Sequence, residues 1–230
     1  MRAGGDAVRV AAFDLDGTLA DTAPDLIGAV NAVLAAEGAR GLDPEGDRSA
    51  AGRGGRAMLR LGLERAGRAA VEAGVERLLP AFLESYAARL AAETRLFPGA
   101  RDALDALAAD GWRLAVCTNK PHALALALLD ALGDAGRFAA VLGADAAPAP
   151  KPDPAHLSAV VARAGGRLSA TVMIGDTVAD LEAARRAGAR CVLARYGYAD
   201  RPVETLGADA LISDLRELPA ILSRLSPGPA

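Results

Sequence analysis

The chain has 230 residues, a length that suits one large domain or a core carrying a smaller insertion. Hydrophobic residues make up 52%, with the excess mostly alanine, and aromatics only 3%, which points away from an aromatic-rich β-sandwich and towards close-packed helices in an α/β or all-α fold. The formal net charge is −3, with Lys and Arg scattered in ones and twos; this excludes the basic stripe of a nucleic-acid binder, and no apolar stretch nears the roughly 20 residues of a membrane span.

Short apolar runs recur at 8–13, 113–118, 138–143, 171–175, 191–194 and 210–212. Rich in Val, Ile, Leu and Ala and barely alternating, they read as strands buried on both faces, the pattern of a mostly parallel sheet covered by helices. The first run stops at Asp14, too early for the apolar core of a secretory leader, so a cytoplasmic protein is expected. Asp14 closes that strand at the carboxyl edge, where open α/β folds bind ligands. Asp16 lies two residues on, across a tight turn that Gly17 permits. A carboxylate can attack phosphorus, and a second carboxyl group nearby can protonate the leaving oxygen and later activate water. One DxDG string also makes an ordinary surface turn; DLDGTL directly behind an apolar strand narrows that reading.

From Asp21 to Glu93 there is only amphipathic helical pattern: Leu26, Ile27, Val30, Val33 and Leu34, then Met58, Leu59 and Leu63, then Leu78, Phe82, Tyr86 and Leu90. Roughly seventy residues exceed any simple βα connection, which runs to about 2 to 6. The pattern predicts a helical subdomain, 21–93, inserted into a core built from 1–20 and 94–230. Within it Gly52, Arg53, Gly54, Gly55 and Arg56 form a basic turn, and Arg53 or Arg56 could supply a charge-assisted fork to a substrate carboxylate.

Pro98 and Gly99 open a helix with Leu104 and Leu107 on one face that stops at Gly111. The next strand ends in Thr118 and Asn119, a hydroxyl and an amide that could meet an oxyanion or cap a helix. Lys151, in APKPDP, precedes a helix opened by Asp153 and Pro154 and closed by Gly165. After the 171–175 run, Asp176 and Asp180 flank the start of a helix ending at Gly188; at i and i+4 they share a face and could orient a cation or its waters. If the strands before Asp14 and Asp176 are neighbours, the carboxylates converge. Like charges about 4 Å apart repel by about 4 kcal/mol at an effective dielectric near 20, so a divalent cation or shared protons must offset them. Magnesium, which takes one or two carboxylates plus water and substrate oxygens, suits this supply. Cys117 and Cys191 sit in apolar runs as buried, reduced thiols, helix-surface or structural roles are expected for His122 and His156, and the Pro/Gly tail after Leu225 looks loose.

In this order, each at a strand end, DLDGTL, TNKP, KPDP and GDTVAD resemble the haloacid dehalogenase-like phosphohydrolases over nearly the whole chain. Within that superfamily FPGARDALDALAADGWRLAVCTNKP and ARYGYADRPVETLGADALISDLRELP look like the phosphoglycolate phosphatases. The resemblance implies a Rossmann-like α/β core with an α-helical cap, and a Mg2+-dependent phosphomonoesterase acting on a small phosphorylated metabolite, 2-phosphoglycolate in the first place. A sugar phosphate, pyrophosphate or nucleotide is the alternative substrate. It also implies roles: Asp14 as nucleophile and metal ligand, and Asp16 as acid/base, ligating the metal through its backbone carbonyl. Thr118 with the Asn119 backbone, and Lys151, would bind the phosphoryl group. Asp176 would be a direct metal ligand and Asp180 an outer-sphere support. The haloalkanoate dehalogenases resemble this framework but lack the second aspartate, so Asp16 argues for a phosphatase. A phospho-accepting signalling receiver fits poorly, because the acidic pair is split around a turn and a long insertion follows. A monomer and a homodimer are both open.

Overall fold

The computed structural model describes residues 8–68 and 71–225; the tail expected to be loose lies outside them. In chain order the elements are β1 (Val10–Phe13), β2 (Ala20–Asp21), α1 (Ala23–Ala36), α2 (Arg48–Ala51), α3 (Gly54–Arg65), α4 (Val71–Ala88), β3 (Arg95–Leu96), α5 (Ala100–Ala109), β4 (Arg113–Cys117) and α6 (His122–Ala131). Then follow β5 (Ala140–Leu142), α7 (Pro154–Arg163), β6 (Thr171–Gly175), α8 (Val178–Ala187), β7 (Arg190–Ala194), β8 (Ala210–Ile212) and α9 (Leu218–Leu225). Among the described residues no helix is long and apolar enough to cross a membrane.

Six strands form one sheet in the order β5-β4-β1-β6-β7-β8, with every pairing parallel. Counting only these strands, the order is 3-2-1-4-5-6, the doubly wound Rossmann arrangement, whereas a flavodoxin-like receiver runs 2-1-3-4-5. The fold is therefore the α/β class expected from the apolar runs, and its strand order turns away the receiver reading. Each strand is buried on both faces because successive side chains enter different cores. Phe13, Val116, Ile174 and Val192 pack with Leu104 of α5, Leu128 of α6 and Leu222 of α9. Val10, Ala12, Ala115 and Met173 pack with Leu157 and Val160 of α7 and Leu181 of α8.

Strands β6 and β8 coincide with their apolar runs and β7 begins one residue before its run, whereas β1, β4 and β5 are shorter than theirs. The 138–143 run yields only Ala140–Leu142, because a 3₁₀ turn at Ala135–Arg137 takes the Phe138 N–H back to the Ala135 carbonyl. Two strands of two residues each, β2 and β3, carry no period and were invisible in the sequence.

Helices α1 to α4 gather around a separate apolar cluster that includes Leu26, Ile27, Leu34, Met58, Val75 and Phe82. Small residues let these helices approach closely: a Cβ on Gly62 would lie 2.3 Å from Leu34 Cδ1. The two connections to this cluster are tied together. Ala20 and Asp21 pair antiparallel with Leu96 and Arg95. Buried Asp25 accepts the N–H groups of Glu93 (2.9 Å) and Thr94 (2.8 Å) and the Thr94 hydroxyl (2.9 Å). Burial alone would raise the Asp25 carboxyl, but these donors and Arg89 outweigh it and hold the group below the usual carboxylate value.

Candidate active site

In this strand order the chain reverses its direction of winding between β1 and β6, the crevice where open α/β sheets bind ligands. Asp14 follows β1 and Asp176 follows β6, and the Asp14 N–H donates to the Ile174 carbonyl at 2.8 Å. Two aspartates more than 150 positions apart in sequence thus share one edge. Carboxylate oxygens of Asp14, Asp176 and Asp180 lie within 4.8 Å of one another, all buried.

Each of the three is held differently. Asp14 Oδ1 accepts the Leu15 N–H at 2.7 Å and Oδ2 faces Lys151 Nζ at 2.9 Å. Asp176 accepts the Thr18 hydroxyl at 2.8 Å and the Tyr198 N–H at 2.7 Å. Asp180 sits in the first turn of α8: its Oδ2 accepts from the Asp176 N–H (3.2 Å), the Thr177 N–H (3.0 Å) and the Thr177 hydroxyl (2.7 Å), and its Oδ1 from Lys151 Nζ at 2.6 Å. Gly17 makes the close approach of the first loop possible: its φ is +82°, and a Cβ there would lie 2.5 Å from Asp176 Oδ2.

Three buried carboxylates facing one ammonium are under-neutralised. Burial pushes the Asp14 carboxyl up to about 6, against the pull of Lys151 and with the help of Asp180. Burial, then Asp180 and Asp14, raise Asp176 well above the ordinary value. Burial would lower Lys151, but Asp14 and Asp180 outweigh it and hold the ammonium above the usual lysine range. An all-oxygen, acid-rich set of this kind fits a hard divalent cation, with Asp14 and Asp176 keeping oxygens that each accept only one hydrogen bond. Asp180, with Oδ2 already accepting three, fits a supporting position better.

Thr118 follows β4, its N–H donating to the Leu142 carbonyl at 3.1 Å. Asn119 departs from the sequence expectation: its side-chain amide is not offered to a ligand but clamps the Lys151 backbone, donating to Lys151 O at 2.8 Å and accepting Lys151 N–H at 2.9 Å. That contact fixes the root of Lys151. The Gly52 to Arg56 stretch is not a loose turn either, since it is the junction of α2 and α3, with Gly55 and Arg56 already helical. Arg56 is engaged with Glu76, Nε to Oε1 at 2.8 Å, whereas Arg53 sits at the start of α3. His156 is buried on α7 with Nε2 3.2 Å from the Leu142 carbonyl, and burial, then Lys151, pushes it down to about 4. Both cysteines are free and buried.

A cavity of about 570 Å³ opens over this edge, lined from the sheet side by Asp14, Asp16 and Thr118 and from the helical side by Arg53, Phe82 and Tyr86. Lys120 also lines it and was missed in the sequence, although it stands directly behind the strand-end pair Thr118 and Asn119. Tyr198 was missed for a better reason: it serves Asp176 through its backbone N–H, which any residue but proline supplies.

The fold and the acid cluster at its switch point define a Rossmann-type α/β protein with a carboxylate-rich site, and comparison with known proteins adds the class of enzyme. The family model for haloacid dehalogenase-like hydrolases matches residues 8–188. The chain is 47% identical over 220 residues to the phosphoglycolate phosphatase of Caulobacter vibrioides, covering 95% of this chain and 93% of that one. Among solved structures it is similar to a predicted phosphoglycolate phosphatase from Haemophilus somnus 129PT, with a TM-score of 0.85 and 28% identity over 93% of this chain and 97% of that one. It is also similar to CbbY from Rhodobacter sphaeroides in complex with phosphate, with a TM-score of 0.74 and 27% identity, covering 92% and 96%. The chain belongs to the haloacid dehalogenase-like hydrolases, and within them it is a phosphoric monoester hydrolase.

Proposed function

We propose that the protein hydrolyses 2-phosphoglycolate to glycolate and phosphate through a phospho-aspartyl intermediate, with Mg2+ as cofactor. The observation that carries this reading is that Asp14 and Asp16 line one cavity, with Lys151 2.9 Å from Asp14 Oδ2. The Caulobacter vibrioides relative named phosphoglycolate phosphatase, alike over nearly the full length of both chains, supports the substrate.

Asp14 attacks phosphorus in line with the bridging oxygen, which leaves as the glycolate hydroxyl with a proton from Asp16. The acyl phosphate on Asp14 then reacts with water. Asp16, now a carboxylate, takes the proton as the water oxygen bonds to phosphorus, and phosphate departs from a regenerated Asp14. Lys151, the Thr118 hydroxyl and the Asn119 backbone N–H hold the phosphoryl oxygens. Asp14, Asp176 and the backbone carbonyl of Asp16 would hold the cation, and Asp180 anchors Lys151 and supports the set from outside. Bound there, Mg2+ supplies positive charge against the transferring oxygens.

Residues 21–93 act as a cap over the core, moving about the β2–β3 pair and excluding water when closed. Of the two arginines, Arg53 is the one assigned to the substrate carboxylate, because Arg56 is occupied by Glu76. The same reading puts the enzyme in the cytoplasm. Steady-state kcat/KM over a panel of phosphate esters with Mg2+ tests it. 2-Phosphoglycolate should exceed an uncharged alkyl phosphate by about tenfold or more, the worth of one charge-assisted hydrogen bond, and EDTA should abolish turnover. Equal rates on both esters would remove the substrate, and full activity in EDTA the cofactor.

A further inference from the structure

Lys120 has no part in the roles given above, yet its side chain is only 3% exposed. A buried ammonium is costly unless its donors are met. Here they are met by Asp16, at 2.9 Å to Oδ1 and 3.2 Å to Oδ2, and by the Tyr86 hydroxyl of α4 at 2.7 Å, with the Tyr86 ring centroid 4.4 Å away. The root of the lysine is fixed as well: its N–H donates to the Thr118 hydroxyl at 3.3 Å, and its carbonyl accepts the Ala144 N–H at 3.1 Å. A rigidly rooted cation therefore reaches from the end of β4 to the loop after β1 and to a helix of the inserted cluster.

Asp16 needs such a partner. Asp14, Asp176 and Asp180 each accept from at least two different residues, whereas the Asp16 carboxylate, 18% exposed, is held at both oxygens by the one ammonium of Lys120.

We propose that Lys120 is the positioning residue that aims Asp16 at the leaving-group oxygen, and that Tyr86 ties this alignment to α4. The inference rests on the reading of Asp16 as acid and base. A protonated Asp16 accepts from Lys120 on one oxygen and presents the O–H of the other to the bridging oxygen. As the P–O bond breaks, that proton passes to the departing oxygen. In the second step the same carboxylate takes the proton of the attacking water. Lys120 keeps its own proton throughout and touches no reacting atom.

The test uses leaving groups. An alkoxide such as that of glycolate needs a proton to depart, and nitrophenolate does not. Lys120→Met, Tyr86→Phe and Asp16→Asn are compared with the wild type by kcat/KM on 2-phosphoglycolate and on p-nitrophenyl phosphate, alongside melting temperature and Mg2+ half-saturation. Lys120→Met should lose about 100-fold on phosphoglycolate, the lower end of what a placed acid contributes, and less than about tenfold on the nitrophenyl ester. Metal half-saturation should not move. Tyr86→Phe, which keeps the lysine and the ring, should show the same selectivity at about fivefold, the scale of one neutral hydrogen bond, and decides the matter if Lys120→Met does not fold. Equal losses on both esters, or none, in a Lys120 or Tyr86 variant whose Asp16→Asn counterpart is selective would overturn the inference alone. An unselective Asp16→Asn would instead bring down the acid assignment and the inference with it.

Discussion

Asp14 and Asp180 are both buried beside Lys151, but their hydrogen bonds make them respond oppositely to the same change. In Asp14→Asn the carbonyl oxygen still accepts the Leu15 N–H while the NH2 turns to Lys151, whose ammonium keeps Asp180 as its partner, so the loop after β1 keeps its shape. The substitution also removes a carboxyl that burial holds at about 6. We therefore expect Asp14→Asn to abolish phosphate release while leaving the metal-free melting temperature equal or higher. Asp180→Asn should do the reverse. Its Oδ2 caps α8 through the Thr177 N–H and hydroxyl, and its Oδ1 holds Lys151, so an amide must turn an NH2 towards one set of donors. That should cost about 1 to 3 kcal/mol of stability and raise the Mg2+ requirement, with residual turnover. Initial rates and thermal melts of the two variants check both signs. The meeting of Asp14 with Asp176 was open to sequence reading because each directly follows an apolar run. The Asn119 clamp was not, since nothing local says that its amide faces the backbone of a residue 32 positions on.

At the scale of elements, the loop after β7 joins the acid cluster to the start of α1. Thr22 stands where a cap of α1 should be, yet its side chain makes no capping bond and its hydroxyl finds no partner among the described residues. The first N–H groups of that helix are met instead by the Tyr198 hydroxyl, which accepts from Thr22 N at 2.7 Å and Ala23 N at 2.9 Å and donates to Asp21 at 2.6 Å. The same residue's backbone N–H holds Asp176. Tyr198→Phe separates these jobs. The helix start loses its acceptor and two buried N–H groups go unmet, which should lower stability by about 1 to 3 kcal/mol and reduce kcat/KM as the tether at α1 loosens. Mg2+ half-saturation should stay put, because the contact to Asp176 is backbone. Denaturant unfolding and a metal titration measure the two, and a large shift in metal affinity would show that the ring itself shapes the cluster. The six strands of the parallel sheet were legible because burial on both faces writes a continuous apolar run. The short β2–β3 pair and this loop were not, because tertiary partners rather than local pattern hold them.

The whole molecule carries a net charge of only −3, so the proposed cation would be drawn by the buried carboxylates of Asp14, Asp176 and Asp180 and not by the overall field. Their crowding sets a pH dependence. In the metal-free protein Asp14 takes up its proton near 6, while the same carboxyl in the unfolded chain waits until about 3.8. Between those values the folded state binds more protons, so the Asp14 contribution to stability is full below the unfolded value and is lost as the pH rises through 6; Asp176, raised by burial and its neighbours, acts in the same sense. His156 works the other way. Pushed from 6.5 down to about 4 by burial, it contributes stability above its unfolded value and loses it as the pH falls towards 4. A single melting curve against pH therefore mixes opposing terms. The increment produced by Mg2+ reports on the carboxylates more directly, because a cation held by Asp14 and Asp176, as proposed, would compete with protons there. Melts at pH 7.5 and pH 5.0, with and without Mg2+, should show a clear rise at the higher pH and little at the lower. Below 6 the proton on Asp14 should weaken apparent affinity by about tenfold per pH unit. The same increment at both pH values would mean that the cation does not bind at these carboxylates.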